Sequence, residues 1–301
     1  MSNILAVKSV HDYNAFVGHA DQHPLVSVIE FAQLSQLYRC RCHFGVYALF
    51  LHNTCMEGLT YGYRPYDYKA GTLICRAPGQ TGGAEYDGKR VKMDGWALLF
   101  HPDLLHGTPL AKQMSDYAYF SYQVSETLYM NEEERDIFIS LLKQIEYELG
   151  RQPDVYQDSI VVSYIELILK HCKYFYNRQF ATRKPINDDI LARFEKLLSD
   201  YYNDGKFASE GIPSVAWCAQ ELCLSPNYFS DLVRNGTGET AINHIRRAVV
   251  DIVKNKLANG DSMKEITYEL GFEYPQHLTR MFKRYTGETP QEFCNRIKKK
   301  I

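Results

Sequence analysis

The sequence predicts an α+β protein with a β-rich N-terminal part and an all-α C-terminal part. Three observations support this fold class. Apolar residues alternate with a period of two through about the first 120 residues, and the period changes to 3.6 from about Asn131. A two-helix unit then occurs twice between Ser214 and Phe293. With 301 residues, the chain is long enough for two domains that each bury a core.

Short apolar or alternating runs predict the strands of the N-terminal part, and Gly, Pro, Asp and Asn separate them. The runs are Val26–Phe31, Gly45–Leu51, Thr72–Arg76 and Ala97–Phe100. The strongest turn signals are Ala77-Pro78-Gly79, Tyr86-Asp87-Gly88 and Met93-Asp94-Gly95. Many short strands in a segment of this length indicate a small barrel or jelly roll.

Two amphipathic helices follow. Asn131 before three glutamates is a helix start, and Gly150 with Pro153 ends that helix. Its apolar stripe is Phe138, Leu141, Leu142, Ile145 and Leu149, and a second helix over about Asp154–Phe180 carries Ile160, Tyr164, Leu167, Ile168 and Cys172. The short connection predicts an antiparallel hairpin. Its apolar face either contacts a second copy of the chain or only covers the barrel.

A polar stretch with Pro185 predicts the linker, and a helix over about Asp189–Tyr202 follows before a loop from Gly205 to Gly211. The predicted domains are therefore 1–125 for the β domain, 126–180 for the helical hairpin, 181–188 for the linker and 189–301 for the C-terminal domain.

The best-defined unit lies between Ser262 and Phe293. Ser262-x-x-Glu265 is a capping box, and Gly271 stands where a helix C-terminus needs a left-handed residue. Pro275 suits the first turn of a second helix, where its missing N–H is not needed. Two short helices joined by a tight glycine turn, the second rich in hydrogen-bond donors, are typical of a helix-turn-helix.

The same unit occurs earlier in the chain. Glu221-Leu222-Cys223-Leu224 matches Glu269-Leu270-Gly271-Phe272 at an offset of 48 residues, and Phe229–Val233 matches Leu278–Phe282 at an offset of 49. Between the units, about Thr240–Ala258 predicts one helix of roughly 28 Å. Because one DNA turn is about 34 Å, such a helix can present two recognition helices to successive major grooves.

The segments KEITYELGF and LTRMFKRYTGETPQEF closely resemble the signature of AraC/XylS-type transcription regulators. The glycine-led strands Ala70–Leu73 and Asp94–Ala97, with His101-Pro102, are similar to the cupin-type sensor domain common in that family. The resemblance implies a regulator and not an enzyme, with double-stranded DNA as partner, bound at promoter half-sites through the major groove. It also implies a small-molecule effector in a cupin-like barrel and favours a homodimer formed by the hairpin, with RNA polymerase as a further candidate partner.

The predicted DNA contacts are the outward side chains of the two recognition helices. The second helix offers Gln276, His277, Thr279, Arg280, Lys283 and Arg284, and the first offers Asn227, Ser230, Asp231 and Arg234. Arginine pairs with guanine and glutamine with adenine, whereas Lys283 and Arg284 suit phosphates. Asp231 stands where many relatives carry a basic residue. An aspartate there either accepts a hydrogen bond from cytosine, caps a local N–H or faces solvent.

Composition limits the function classes. The formal net charge is −2, yet the chain from Ser214 onward carries 13 Lys/Arg and 10 Asp/Glu, so basic residues concentrate in the predicted DNA-binding half. The absence of a signal peptide and of a long apolar run predicts a cytoplasmic protein that does not enter a membrane, with reduced cysteines. A Gly-rich phosphate loop and a G-x-S-x-G nucleophile motif are both missing.

The alternative is a metal-dependent cupin enzyme with an appended DNA-binding module. His43, His52, His101 and His106 lie near predicted strands, with Glu57 nearby, but none forms a tight His-x-His pair. Cys40-x-Cys42 is either a redox pair or an incidental spacing. The expectation is therefore no metal, no cofactor and no catalytic residue. Stoichiometric Fe, Mn or Zn in the purified protein would favour the enzyme.

Overall fold

The structure is a computed structural model that describes residues 4–53, 60–61, 64–65, 70–84, 88–122, 126–182 and 184–298. The strands are Ile4–Val7 (β1), Val26–Glu30 (β2), Leu37–Tyr38 (β3), Arg41–Phe44 (β4), Tyr47–His52 (β5), Thr60–Tyr61 (β6), Arg64–Pro65 (β7), Thr72–Arg76 (β8), Thr81–Gly83 (β9), Arg90–Val91 (β10), Gly95–Phe100 (β11) and Leu128–Tyr129 (β12). The helices are Val10–Val17 (α1), Pro109–Gln113 (α2), Glu132–Leu149 (α3), Gln157–Thr182 (α4), Lys184–Asn203 (α5), Lys206–Glu210 (α6), Val215–Glu221 (α7), Pro226–Thr237 (α8), Ala241–Ala258 (α9), Met263–Glu269 (α10), Pro275–Thr286 (α11) and Pro290–Lys298 (α12). The chain divides into two compact units, Met1–Gln179 and Phe180–Ile301.

The largest sheet of the first unit has five strands in the order β12-β8-β5-β11-β2, all antiparallel. Every residue of β8 and β11 is buried, so both faces of the sheet are covered. This double burial explains why the central strands read as continuous apolar runs. The four strands predicted from those runs are confirmed as β2, β5, β8 and β11.

A second sheet, in the order β1-β4-β9, faces the first across a shared core. Its strand β1 pairs in parallel with β4, and β9 pairs antiparallel with β4. Side chains of α1 and of both sheets fill the core, among them Val7, Tyr13, Phe44, Phe50 and Ile74. The described strands form these sheets and two separate pairs, β3 with β10 and β6 with β7. The closed cupin-like barrel therefore stays a prediction.

Helix α1 is a departure from the β-rich prediction for this part of the chain. Ser9 caps the helix through a capping box with Asp12, and Gly18 ends it in the left-handed conformation, with φ 76°. The Ser-x-x-Asp signal and the following glycine were visible in the sequence. These two signals indicate a helix, although the surrounding sequence was predicted to be β-rich.

The two predicted helices are confirmed as α3 and α4, and Asn131 caps α3 through a capping box with Glu134. Their pairing as a hairpin stays a prediction. Of the apolar residues predicted on α4, Ile168 and Cys172 are buried as expected, whereas Leu167 is exposed. The buried side of α4 also includes Val161, Ile165 and Leu169. Tyr119, from the segment after β11, donates a hydrogen bond to the Leu169 carbonyl at 3.0 Å. One face of α4 thus packs within the first unit, and exposed apolar side chains such as Leu167 lie on the other side.

The predicted linker is largely helical. Helix α4 continues to Thr182 and α5 begins at Lys184, with Pro185 in its first turn. Proline is tolerated there because the first turn has no acceptor for its N–H. Pro185 therefore accompanies a helix start and does not break a helix. The predicted loop from Gly205 to Gly211 likewise contains the short helix α6.

Within the ranges the structure describes, each helix is too short or too polar to cross a membrane.

Candidate nucleic-acid interface

The C-terminal unit contains two copies of one helix pair, α7–α8 and α10–α11. The first helix of each copy starts on a serine: the Ser214 hydroxyl accepts the Trp217 N–H at 3.1 Å, and the Ser262 hydroxyl accepts the Glu265 N–H at 3.3 Å. The second helix of each copy starts with a proline in its first turn. Equivalent sequence signals therefore produce equivalent helix boundaries, and the predicted repeat is confirmed.

The turn between the helices uses a left-handed residue in both copies. Gly271 has φ 65°, and Cys223, at the equivalent position, has φ 59°. Cys223 is the one non-glycine residue with positive φ among the described residues. A side chain in this region clashes with the following carbonyl and costs about 1–2 kcal/mol.

Cys223→Gly is expected to stabilise the C-terminal unit slightly. Removing the Cβ relieves the left-handed strain, but glycine also makes the unfolded chain more flexible, so the net gain is about 0.5–1 kcal/mol. Chemical denaturation of the full chain, compared with wild type, measures this difference. Cys223→Ala is the matched control, since it removes the exposed thiol and keeps the strain. A gain of the same size in Cys223→Ala would contradict the backbone explanation.

Helix α9 joins the two copies and belongs to both cores. Ala241 and Ile245 pack into the first core around Phe229, and Val249 and Val253 pack into the second core around Phe282. Helix α5 also spans both cores, with Phe194 in the first and Tyr201 in the second. At 18 residues, α9 is about 27 Å long. Because the two copies share these helices, they are held at a fixed separation.

The repeat extends beyond the two helix pairs. Thr-Gly-Glu-Thr follows both recognition helices, at 237–240 and 286–289. In each copy the first threonine donates to the helix carbonyl four residues earlier, and its hydroxyl accepts the N–H of the glutamate. The glutamate then pairs with an arginine eight residues later: Glu239 with Arg247 and Glu288 with Arg296. The repeated tetrapeptide was the available signal.

The second recognition helix, α11, presents the predicted residues outward. Gln276, His277, Arg280, Lys283 and Arg284 are exposed, and Thr279 is half-buried. The opposite side is anchored by Leu278 and Phe282, which have no exposed surface. The Thr279 hydroxyl donates to the Pro275 carbonyl at 3.0 Å, so towards a base it offers an acceptor oxygen and a methyl group.

The first recognition helix, α8, is built in the same way with fewer cations. Asn227 and Arg234 are exposed, while Ser230 and Asp231 are half-buried. The Ser230 hydroxyl donates to the Pro226 carbonyl at 2.7 Å, which repeats the bond of Thr279 at the equivalent position. The matched geometry places Asp231 in the position of Arg280. The two recognition helices thus have the same backbone conformation and differ in the charge of their outward side chains.

The basic side chains of α11 differ in their surroundings from two lysines of α9. Lys254 and Lys256 of α9 form ion pairs with nearby carboxylates, and Glu269 as the strongest contributor raises the pKa of Lys256. Within the described residues, Arg280, Lys283 and Arg284 form no ion pair. Their positive charge is therefore presented to solvent, as an electrostatic contact with phosphates requires.

The histidines considered for a metal site occupy ordinary structural positions. His43 lies 3.0 Å from the Thr81 hydroxyl, and His101 accepts the Asp103 N–H at the start of a short helix. His52 is buried, which lowers its pKa to about 4, and His106 is exposed. Glu57 lies outside the described residues. Among the described residues, no group of three or more His, Cys, Asp or Glu is arranged to hold a metal ion.

Comparison with known proteins gives a family match within the C-terminal unit and two related regulators. The helix-turn-helix domain family matches residues 218–296. The transcriptional regulatory protein YesN of Bacillus subtilis is 33% identical over 108 residues, which is 35% of this chain and 28% of YesN. The HTH-type transcriptional regulator YijO of Escherichia coli is 27% identical over 156 residues, 51% of each chain. The chain therefore spans only part of the length of these relatives.

Two solved structures are similar to the chain at low identity. The C-terminal domain of AraT, a response regulator from Geobacillus stearothermophilus, covers 35% of this chain and 84% of its own length, with 18% identity and a TM-score of 0.31. ToxT from Vibrio cholerae covers 89% of this chain and 97% of its own length, with 11% identity and a TM-score of 0.30.

The duplicated helix-turn-helix and the family match lie on the same residues. Residues 218–296 of this chain therefore form a helix-turn-helix domain of the AraC type.

Proposed function

We propose that the chain is a sequence-specific DNA-binding transcription regulator. The observation that carries this proposal is the pair of recognition helices, α8 and α11, held by one helix that is part of both cores. Other helix-turn-helix proteins reach two successive major grooves by dimerising. Here a single chain presents two such helices, and α9, which is about 27 Å long, runs through both supporting cores.

The two recognition helices are expected to contribute unequally. Helix α11 combines exposed Arg280 and Gln276 for base edges with Lys283 and Arg284 for phosphates. Helix α8 offers Asn227 and Arg234, with the negative charge of Asp231 at the centre of its outward side. We assign most of the affinity and specificity to α11, because an acidic group beside phosphates is repulsive.

The N-terminal unit is proposed to bind a small-molecule effector, and the helical hairpin to form a homodimer. A cavity in the core between the two sheets supports the first assignment. Exposed apolar side chains on α3 and α4, including Tyr147, Leu167 and Tyr174, support the second. Effector binding would then change how two chains pair and which DNA half-sites the dimer spans.

Selection of bound sequences from random DNA, followed by footprinting of the full chain, tests the DNA-binding proposal. The expected result is one protected region of about 20 base pairs for each bound chain, with two sequence-specific segments one helical turn apart. If only one of the two segments shows a sequence preference, α8 does not read bases. Binding without any sequence preference would overturn the proposed function.

A further inference from the structure

The two helix-turn-helix copies differ at the end of the recognition helix. Gly236 precedes the Thr-Gly-Glu-Thr segment of the first copy, whereas Tyr285 precedes the same segment of the second, at an offset of 49 residues. A Cβ on Gly236 would lie 2.6 Å from Leu191 Cδ1, so α8 packs closely on α5 at this position. The aromatic side chain is therefore a feature of the second copy alone.

Tyr285 contacts the helix that joins the two copies. Its hydroxyl donates a hydrogen bond to Asn243 Oδ1 at 2.9 Å, and both side chains are half-buried. The tyrosine also packs against the second core, which contains Phe282. Asn243 lies in the first turn of α9, two residues after Ala241, which is part of the first core. One hydrogen bond thus joins the last turn of α11 to the end of α9 that belongs to the first copy.

Asn243 also departs from the repeat. Its equivalent in the second copy, at the same offset of 49 residues, is Glu292. Glu292 accepts the Thr289 N–H at 2.6 Å and donates its own N–H to the Thr289 hydroxyl, as in a capping box. Asn243 follows the cap residue Thr240 by the same three positions, but its side-chain oxygen accepts the hydrogen bond from Tyr285. Both partners of this bond are therefore residues at which the two copies differ.

Apolar side chains also hold α11 against α9. Leu278 and Phe282 of α11 lie in the same core as Val249 and Val253 of α9. Hydrophobic packing is not directional, so by itself it permits small rotations of one helix on the other. Asn243 lies six residues before Val249, which corresponds to about 9 Å along α9. A directional hydrogen bond at this distance from the apolar contact resists such rotations.

We propose that the hydrogen bond between Tyr285 and Asn243 fixes the orientation of α11 relative to the first copy and thereby determines which spacing of DNA half-sites the chain selects. The two residues are positioning residues, because they act on DNA through α11. One base pair added between the half-sites displaces the second by about 3.4 Å and rotates it by about 35° around the duplex. A recognition helix held by a directional bond cannot follow this displacement, whereas one held by apolar packing alone can follow part of it.

This inference rests on the proposed function, because it concerns the DNA site that α8 and α11 read together. Binding of the full chain is measured to the selected site and to two versions with one base pair added or removed between the half-sites. Wild type is expected to bind both altered sites at least about tenfold more weakly than the selected site. Tyr285→Phe removes one hydroxyl and keeps the ring. It is expected to reduce this discrimination about three- to tenfold, with unchanged base preference within each half-site.

Two further variants separate positioning from stability. Asn243→Ala removes the acceptor and is expected to reproduce the effect of Tyr285→Phe, and the double variant is expected to match the single variants because both remove the same bond. The matched control is Tyr201→Phe, which removes a hydroxyl that donates to the Gly211 carbonyl at 3.1 Å. This bond does not involve a recognition helix, so its loss is expected to lower stability and leave the ratio between spacings unchanged. Circular dichroism checks that each variant folds.

The outcomes distinguish this inference from the proposed function. If Tyr285→Phe and Asn243→Ala weaken binding equally at all three spacings, the bond is only structural and the inference is wrong. The inference is also wrong if wild type binds all three spacings equally or reads bases in one half-site only, although the proposed function then stands. Binding of wild type without any sequence preference overturns the proposed function itself.

Discussion

Gly271→Ala is expected to destabilise the C-terminal unit by about 2–4 kcal/mol, more than any other substitution considered for this unit. A Cβ at this position would lie 2.0 Å from the Phe207 carbonyl oxygen and 3.3 Å from Cα of Gly211. The carbonyl cannot move away easily, because it accepts the Gly211 N–H at 3.0 Å. The turn of the second helix-turn-helix therefore packs directly on the backbone of α6 and of Gly211, which follows it, and only glycine permits this approach.

Gly287→Ala is the matched control for this prediction. Gly287 ends α11 with φ 82°, and a Cβ there would meet no atom within 4 Å. Its replacement adds backbone strain alone, at about 1 kcal/mol. Hydrogen exchange of α10 and α11, together with denaturant unfolding of the full chain, measures both variants. If the two substitutions destabilise the unit equally, the close approach to Phe207 is not what requires glycine at 271.

The C-terminal unit was the predictable part of this fold, because its signals are local. Ser262 with Glu265, Pro275 and Gly271 each determine a helix boundary through their own backbone chemistry, and the structure places each boundary accordingly. The copy around Cys223 lacks the glycine signal. It was still found by its offset, and the structure gives Cys223 nearly the same φ as Gly271.

The N-terminal unit was less predictable, because tertiary contacts decide its details. The apolar residues of α4 are spread around the helix, so the sequence did not show that Val161 and Ile165, instead of Leu167, face the core. The cavity could not be predicted either. It depends on the pairing of distant strands that brings Gly82 of β9 beside Arg76 of β8. Local patterns carry no information about such neighbours.

Arg280→Ala is expected to reduce affinity for the selected DNA site by about 1–3 kcal/mol and to relax base preference at one position of the half-site bound by α11. Arg280 is exposed on the outward side of α11, one turn after Gln276 and His277, where a recognition helix meets base edges. An arginine here can donate two hydrogen bonds to one guanine. Selection of bound sequences by the variant, compared with wild type, shows whether the preference is lost.

Lys283→Ala distinguishes charge from base reading. Lys283 is exposed and lies nearly one turn beyond Arg280 on α11. Its loss should therefore weaken binding to all sequences alike and reduce the slope of log affinity against log salt concentration by about one. Asp231→Ala tests the position in α8 that is equivalent to Arg280. If base preference in that half-site survives, the aspartate does not read bases, and removal of its negative charge should even strengthen binding. Should Arg280→Ala behave like Lys283→Ala, with uniform weakening and an unchanged preference, Arg280 contacts phosphate, and the specificity of α11 comes from Gln276, His277 and Thr279.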